Sequence, residues 1–284
     1  MSSRPLTPTR WHGRELVWGS KTFVMAILNA TPDSFSGDGL AGAPERAAAL
    51  AAAAVAAGAD MIDIGAESTR PGHEPVGAAE EIARLLPVVR AVAEAVEVPI
   101  SVDTSKAVVA AAALDAGASL VNDVRGLTVD PGLGALVAAR SVPVIVMHDV
   151  VPDGNGDIVT SILRELSRRL DRALAAGIPW DHLIVDPGFG FGKTWRQNLE
   201  LLRRLGDLRT LGRPILAGTS RKSTIGRVLG VAEDDRVEGT AATVAIAIAG
   251  HADIVRVHDV REMARVARMS DAVMRDAPVR ELTW

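Results

Sequence analysis

The sequence predicts an α/β fold: a (β/α)8 TIM barrel of parallel strands with a short N-terminal hairpin. Three observations lead there. Short runs rich in β-branched residues alternate with longer alanine- and leucine-rich stretches, eight times over, as in repeated strand–helix units. The length, 284 residues, suits a barrel, commonly a single domain of about 250 residues. No G-x-G-x-x-G fingerprint follows the first run, which counts against a doubly wound dinucleotide-binding sheet, the competing layout. One domain is expected over 1–284, with 1–21 as an N-terminal extension.

The elements follow in order. Residues 10–21, RWHGRELVWGSK, read as a hairpin that turns at His12 and Gly13 and covers the bottom of the barrel. Strand runs occupy 22–29, 61–68, 99–105 and 120–125, then 143–149, 182–188, 214–220 and 253–259. Between them lie helical patterns such as PERAAALAAAAVAAGA and GDIVTSILRELSRRLDRALAAG. The joins AAGAD (56–60), DAGAS (115–119) and AAGIP (175–179) put glycine where a helix closes on a left-handed cap. The tail DAPVRELTW carries no assigned role.

Composition narrows the function classes. A net charge of -4 argues against nucleic acid or an anionic membrane as the main partner. With no cysteine there is no disulfide framework or thiolate metal site, which fits a cytoplasmic protein. No apolar run has the length of a signal peptide or a membrane span, so a soluble protein is expected.

The chemistry lies at the strand ends. Read toward their C-termini, the runs give way to Asn29, then Glu67, Ser68, Thr69 and Arg70, then Asp103 and Thr104, and Asn122 and Asp123. His148 and Asp149, Asp186, Ser220, Arg221 and Lys222, and Arg256, His258 and Asp259 follow. A lone Asp or Ser after a strand is often a helix N-cap, a reading that suits Thr104, Asp149 and Asp259. Capping does not call for Arg, Lys and His at the same rim, and a barrel gathers all of these at its C-terminal mouth. Asp103, Asn122 and Asp186 suit a planar heterocycle with several N–H donors, and Lys222 suits its carbonyl or ring nitrogen. Arg256 and His258, two apart on one strand and beside Asn29 on the adjoining strand, suit an anion such as a phosphate with a bound metal.

The stretch DPGFGFGKT (186–194) ends as a phosphate-binding P-loop does, but Pro187 stands where that loop needs glycine and has no amide hydrogen. Its glycines let the turn run close to a ligand behind Asp186. Lys193 is expected on the solvent side or anchoring the loop, away from phosphate.

At these residues the sequence resembles the dihydropteroate synthases. The resemblance rests on ILNATPDSFS (27–36), DIGAESTRPG (63–72), SVDTSK (101–106), VNDV (121–124) and VMH (146–148). VDPGFGFGKT (185–194), GTSRKS (218–223), GTAA (239–242) and RVHDV (256–260) complete the set in family order. The resemblance implies a (β/α)8 barrel that joins p-aminobenzoate to 6-hydroxymethyl-7,8-dihydropterin pyrophosphate and releases pyrophosphate with the help of Mg2+. It implies a pterin pocket of Asp103, Asn122, Asp186 and Lys222, with Met147 and Phe191 as apolar wall. It implies a pyrophosphate pocket of Asn29, Arg256 and His258, with Asn29 near the magnesium. The p-aminobenzoate pocket would use Thr69, Arg70, Pro71, Phe191 and Ser223, with the loop from Asp33 to Asp38 closing over it. Asp103, Lys222, Arg256 and His258 are the implied catalytic groups, and a homodimer built on late helices, including TAATVAIAIAG (240–250), the implied assembly.

Four departures from the family pattern stand out: Gly37 displacing Asp38, Ala66, Thr224, and the fifth-strand loop VMHDVVPDGNGD. Gly37 and Thr224 fall beside the implied p-aminobenzoate pocket, where sulfonamides bind by imitation, so either lineage drift or a sulfonamide-insensitive variant would follow. A folate-dependent corrinoid methyltransferase on a similar barrel is the alternative function; it would need neither the TPDSFS loop nor the RVHD anion pocket.

Overall fold

The computed structural model describes residues 6–31, 40, 42–67, 76–151 and 156–275. Strands β1 (Thr9–Trp11) and β2 (Arg14–Leu16) form the antiparallel hairpin. His12 and Gly13 turn it with positive φ of 43° and 77°, matching the twist of a tight two-residue turn. Its apolar residues Trp11 and Leu16 are buried together with the following Trp18. Thr9 Oγ1 bonds the Asp181 carbonyl, and His182 Nε2 lies 2.9 Å from the Arg10 carbonyl. Those two partners lead into the sixth barrel strand, so the hairpin covers the N-terminal end, as expected.

Eight parallel strands follow: β3 (Phe23–Asn29), β4 (Met61–Gly65), β5 (Ile100–Asp103), β6 (Leu120–Asp123), β7 (Val144–Met147), β8 (Leu183–Asp186), β9 (Leu216–Ala217) and β10 (Ile254–Val257). The sheet runs β8-β7-β6-β5-β4-β3-β10-β9. A bridge between Val185 and Ile215, with the Val185 amide donating to the Pro214 carbonyl at 2.9 Å, joins the two ends into a barrel. β3 reaches the last residue of its run, Asn29, and the other seven strands end two or three residues before theirs. The seventh run shrinks furthest, to two residues.

Outside the sheet lie α1 (Pro44–Ala57), α2 (Ala78–Ala95), α3 (Ala107–Asp115), α4 (Pro131–Arg140), α5 (Ile158–Ala175), α6 (Trp195–Arg203), α7 (Ser223–Leu229), α8 (Val237–Ala249) and α9 (Val260–Met274). α5 shows why such segments are helical: Ile158, Ile162, Leu166, Leu170 and Ala173 recur every three to four residues and are all buried. Asp157 caps it, accepting from Thr160 N–H at 2.9 Å. Gly58, Gly117 and Gly177 end α1, α3 and α5 at φ of 111°, 116° and 89°, as their joins predict. Because helices cover one face and the closed barrel buries the other, the strands are apolar on both faces except where the mouth needs polar groups.

Candidate active site

Parallel register and strand alternation put the predicted residues on one face. Asn29 pairs with Gly65, Gly65 with Asp103, and Asp103 with Asn122. Met147 pairs with Asp186, and Arg256 with Met25, two pairs of residues in step with the same inward set. Asp63, two residues before Gly65, shares its face. Gly65 keeps this ring open, since a β-carbon there would meet Asp103 Cβ at 3.2 Å.

Arg256 is the hub. Its Nε donates to Asp63 Oδ2 at 2.6 Å and its Nη2 to Asp103 Oδ2 at 3.2 Å. Asn122 Nδ2 donates to the same Asp63 oxygen at 3.1 Å. Thus the residues expected to hold a heterocycle and those expected to hold an anion are linked directly, because the Arg256 guanidinium bonds Asp103. Burial and the adjacent Asp63 carboxylate push Asp103 above the usual carboxylate range, against the pull of Arg256. Asp63 Oδ1 and Asn122 Oδ1 are buried and have no hydrogen-bond partner among the described residues. Buried acceptors without donors are costly, so these two ask for N–H groups from a ligand.

Asp186 closes the other side. Its Oδ1 accepts from the Gly188 amide at 2.7 Å, and burial lifts its pKa to about 6. The Lys222 ammonium lies 4.6 Å from the centre of the Phe191 ring, a cation–π contact that sets two predicted pocket residues together. Met147 is buried beside Asp186, in keeping with an apolar wall. Lys193 is buried, not solvent-facing; its ammonium reaches His148 and two carbonyls of its own loop, Gly188 and Phe191.

On β10's exit, His258 is fixed by Ser220. Ser220 Oγ accepts from the His258 amide at 3.2 Å and lies 3.0 Å from His258 Nδ1, to which its own proton can donate. In the tautomer where Ser220 donates to Nδ1, the ring proton sits on Nε2. Burial, with Arg256 and Arg221 nearby, lowers His258 to about 3, so it is a neutral N–H donor at pH 7. Asp259 does not cap α9 through its side chain; it takes Arg221 at 3.1 and 2.5 Å. Asp149 likewise pairs with Arg169 at 2.7 Å, so neither acid serves as the simple helix cap.

Among the described residues no group of three His, Asp or Glu side chains is arranged to hold a metal. Asn29 contributes one amide oxygen at the end of β3. Magnesium asks for little more, since it usually takes one or two protein oxygens and completes its shell with phosphate and water. The donor set fits a magnesium ion that arrives with a pyrophosphate. Ser223, at the start of α7, is exposed, whereas Thr69, Arg70, Pro71 and the segment from Asp33 to Asp38 lie outside the described residues.

Sequence reasoning missed Asp63. It sits within MIDIG, not at a strand end, and is fully buried. A carboxylate flanked by apolar residues on a strand with no solvent face was the available signal.

Residues 25–258 match the family model described as pterin binding enzyme. The chain is 45% identical over 269 residues to the dihydropteroate synthase of Synechocystis, covering 91% of this chain and 92% of that protein. It superposes on the Clostridium difficile dihydropteroate synthase crystallised in the presence of pteroic acid with a TM-score of 0.88 and 44% identity, over 92% of this chain and 99% of that one. On the Yersinia pestis dihydropteroate synthase in complex with a sulfonamide drug the TM-score is 0.89 and the identity 40%, over 94% and 99% of the two chains.

Proposed function

Because the chain belongs to the pterin-binding enzyme family and, within it, to the dihydropteroate synthases, we propose how its barrel mouth divides the work. The enzyme is a transferase that joins a pterin to p-aminobenzoate. Asn122 and Asp186 accept hydrogen bonds from the pterin ring, Lys222 donates to it, and Met147 and Phe191 flank it. Asp63 joins this set. The observation that carries the reading is the pair of buried, donor-seeking oxygens on Asp63 and Asn122 at the centre of the mouth.

Arg256 and the Nε2–H of His258 hold the pyrophosphate, with Asn29 holding magnesium. Bound there, magnesium supplies Lewis-acid neutralisation of the leaving group's charge. The aromatic amine of p-aminobenzoate is neutral at pH 7 and already nucleophilic, so the site needs no strong base. The difficult step is departure of pyrophosphate from the pterin methylene. Arg256 meets the negative charge that builds on the leaving oxygens, an effect of roughly 3 kcal/mol per preorganised donor. Positive charge spreads into the pterin ring in this dissociative path. A cation beside Asp103 favours its ionised form, so the carboxylate answers that charge as it develops.

Thr69, Arg70, Pro71, Phe191 and Ser223 are proposed for p-aminobenzoate, and sulfonamides, which the Yersinia pestis relative binds, as inhibitors at that place. We also propose a cytoplasmic homodimer over one barrel domain; exposed Ile246 on α8 and Met269 and Val273 on α9 support an interface there. Mixing enzyme, magnesium, pterin pyrophosphate and p-aminobenzoate should release pyrophosphate at steady state together with an equal amount of dihydropteroate, and omitting p-aminobenzoate should prevent formation of that product. Absence of release with both substrates present would overturn the reading; a corrinoid methyltransferase would release none.

A further inference from the structure

We propose that Lys193 is a positioning residue of the pterin pocket: its ammonium pins the β7–α5 and β8–α6 connections together and thereby fixes Asp186 and Phe191. Lys193 Nζ lies 3.0 Å from His148 Nδ1 and 3.3 Å from the His148 carbonyl on one connection. On the other it lies 2.9 Å from the Gly188 carbonyl and 3.0 Å from the Phe191 carbonyl. Three of these partners are carbonyl oxygens, enough to take all three hydrogens of an ammonium. No donor is left over for a phosphate, which answers the likeness of Gly192, Lys193 and Thr194 to the end of a P-loop. Thr194 acts elsewhere, capping α6 in a capping box with Gln197.

The two groups that Lys193 holds are each one step from the pterin contacts. Gly188, whose carbonyl it takes, donates its amide to Asp186 Oδ1 at 2.7 Å. Phe191, whose carbonyl it also takes, packs its ring against Lys222 Nζ. Gly188 is pressed so close to the first connection that a β-carbon on it would lie 1.9 Å from the His148 carbonyl. Such an approach brings carbonyl dipoles together, and the buried cation offsets their repulsion. Burial disfavours the Lys193 cation and pulls its pKa down to about 7, while Asp186 and Asp149 oppose that shift and the carbonyls around Nζ accept from the ammonium. The loop does not rest on Lys193 alone: Asn198 Oδ1 accepts from the Gly190 amide at 2.8 Å, and its Nδ2 bonds the Lys193 and Thr194 carbonyls.

The inference rests on Asp186 being a pterin ligand, so Asp186→Asn is measured alongside. In the full-length enzyme, Lys193→Met should stay folded and raise both the KM for the pterin pyrophosphate and the Kd of free pterin by about tenfold or more. Its kcat should stay within about threefold, because the lost interaction serves binding in ground and transition states alike. Lys193→Gln, which keeps N–H donors, should recover part of the affinity. A folded Lys193→Met with unchanged pterin KM overturns the inference, provided Asp186→Asn does weaken pterin binding. If Asp186→Asn binds pterin normally, the pocket assignment itself fails. In the unaltered enzyme, the 15N signal of the Lys193 ammonium should shift and its hydrogens exchange more slowly once pterin binds. An unchanged signal would count against the proposal even where the variants do not fold.

Discussion

The Arg256 guanidinium lies 2.6 Å from the Asp63 carboxylate, and its second arm reaches Asp103 at 3.2 Å. A side chain expected to hold an anion is thus also the counter-ion of a buried acid, Asp63, and of the half-buried Asp103, so its removal leaves both carboxylates without it.

Asp63→Ala should therefore lower the unfolding free energy by about 3 kcal/mol, the cost of breaking a buried pair from one side. Urea denaturation measures it, and a loss within the ordinary scatter of surface substitutions would contradict the pairing. Arg256→Lys keeps a cation near the acids. It should slow single-turnover pyrophosphate release by roughly 100-fold while weakening free pterin binding much less, because the planar fork is lost where charge develops. Unchanged single-turnover rates would remove Arg256 from the chemical step.

Protons should set binding and folding against each other at Asp186. Its folded pKa, about 6, is raised above the unfolded value near 3.9, so its contribution to stability is full below about 3.9 and lost as pH rises through 6. Pterin binding needs the opposite state, an acceptor carboxylate. Affinity for pterin should fall about tenfold per pH unit below pH 6, with proton release on binding in that range. Asp186→Asn should abolish that limb of a calorimetric pH series and be more stable than the parent above pH 6.

Gly188→Ala tests the close approach of the two connections. The glycine has φ of 70°, where a β-carbon is strained, and would press on the His148 carbonyl. We expect a stability loss of roughly 2 kcal/mol or more and a marked rise in pterin KM. A neutral substitution would mean that the two connections can separate freely.

Sulfonamides should compete with p-aminobenzoate. Thr224, one of the two departures from the family pattern beside the proposed pocket, is buried and lines a small cavity with Phe189, Asn198 and Lys222. Steady-state inhibition with p-aminobenzoate varied should give a competitive pattern. Loss of inhibition at normal p-aminobenzoate KM would identify an insensitive variant instead.

The barrel was legible because each strand run carries β-branched residues and then turns polar, and because the glycine joins punctuate the repeat. The positions of Asn29, Asp103, Asn122, Asp186 and Arg256 at one end of the barrel were legible for the same reason: they stand where apolar strands stop. Asp63 escaped, since nothing in MIDIG says that a mid-strand acid will find an arginine 193 positions away. Lys193 was legible only in part. Of the two places the sequence left open for it, solvent or an anchor of its own loop, the second holds; its imidazole partner comes from a segment 45 residues earlier. Strand ends follow from local pattern; pairings across the mouth depend on register, which local pattern does not contain.

The joint between β8 and β9 has a consequence for motion. The hoop of the sheet is fastened there by the bridge from Val185 to Ile215, and β9 offers just two ladder residues. Asp186 adjoins Val185 on one side of this clasp, and Lys222 follows β9 on the other. A pterin held by both would span the slit like a rivet. The barrel would breathe least along this line when loaded, and an empty barrel would part there first.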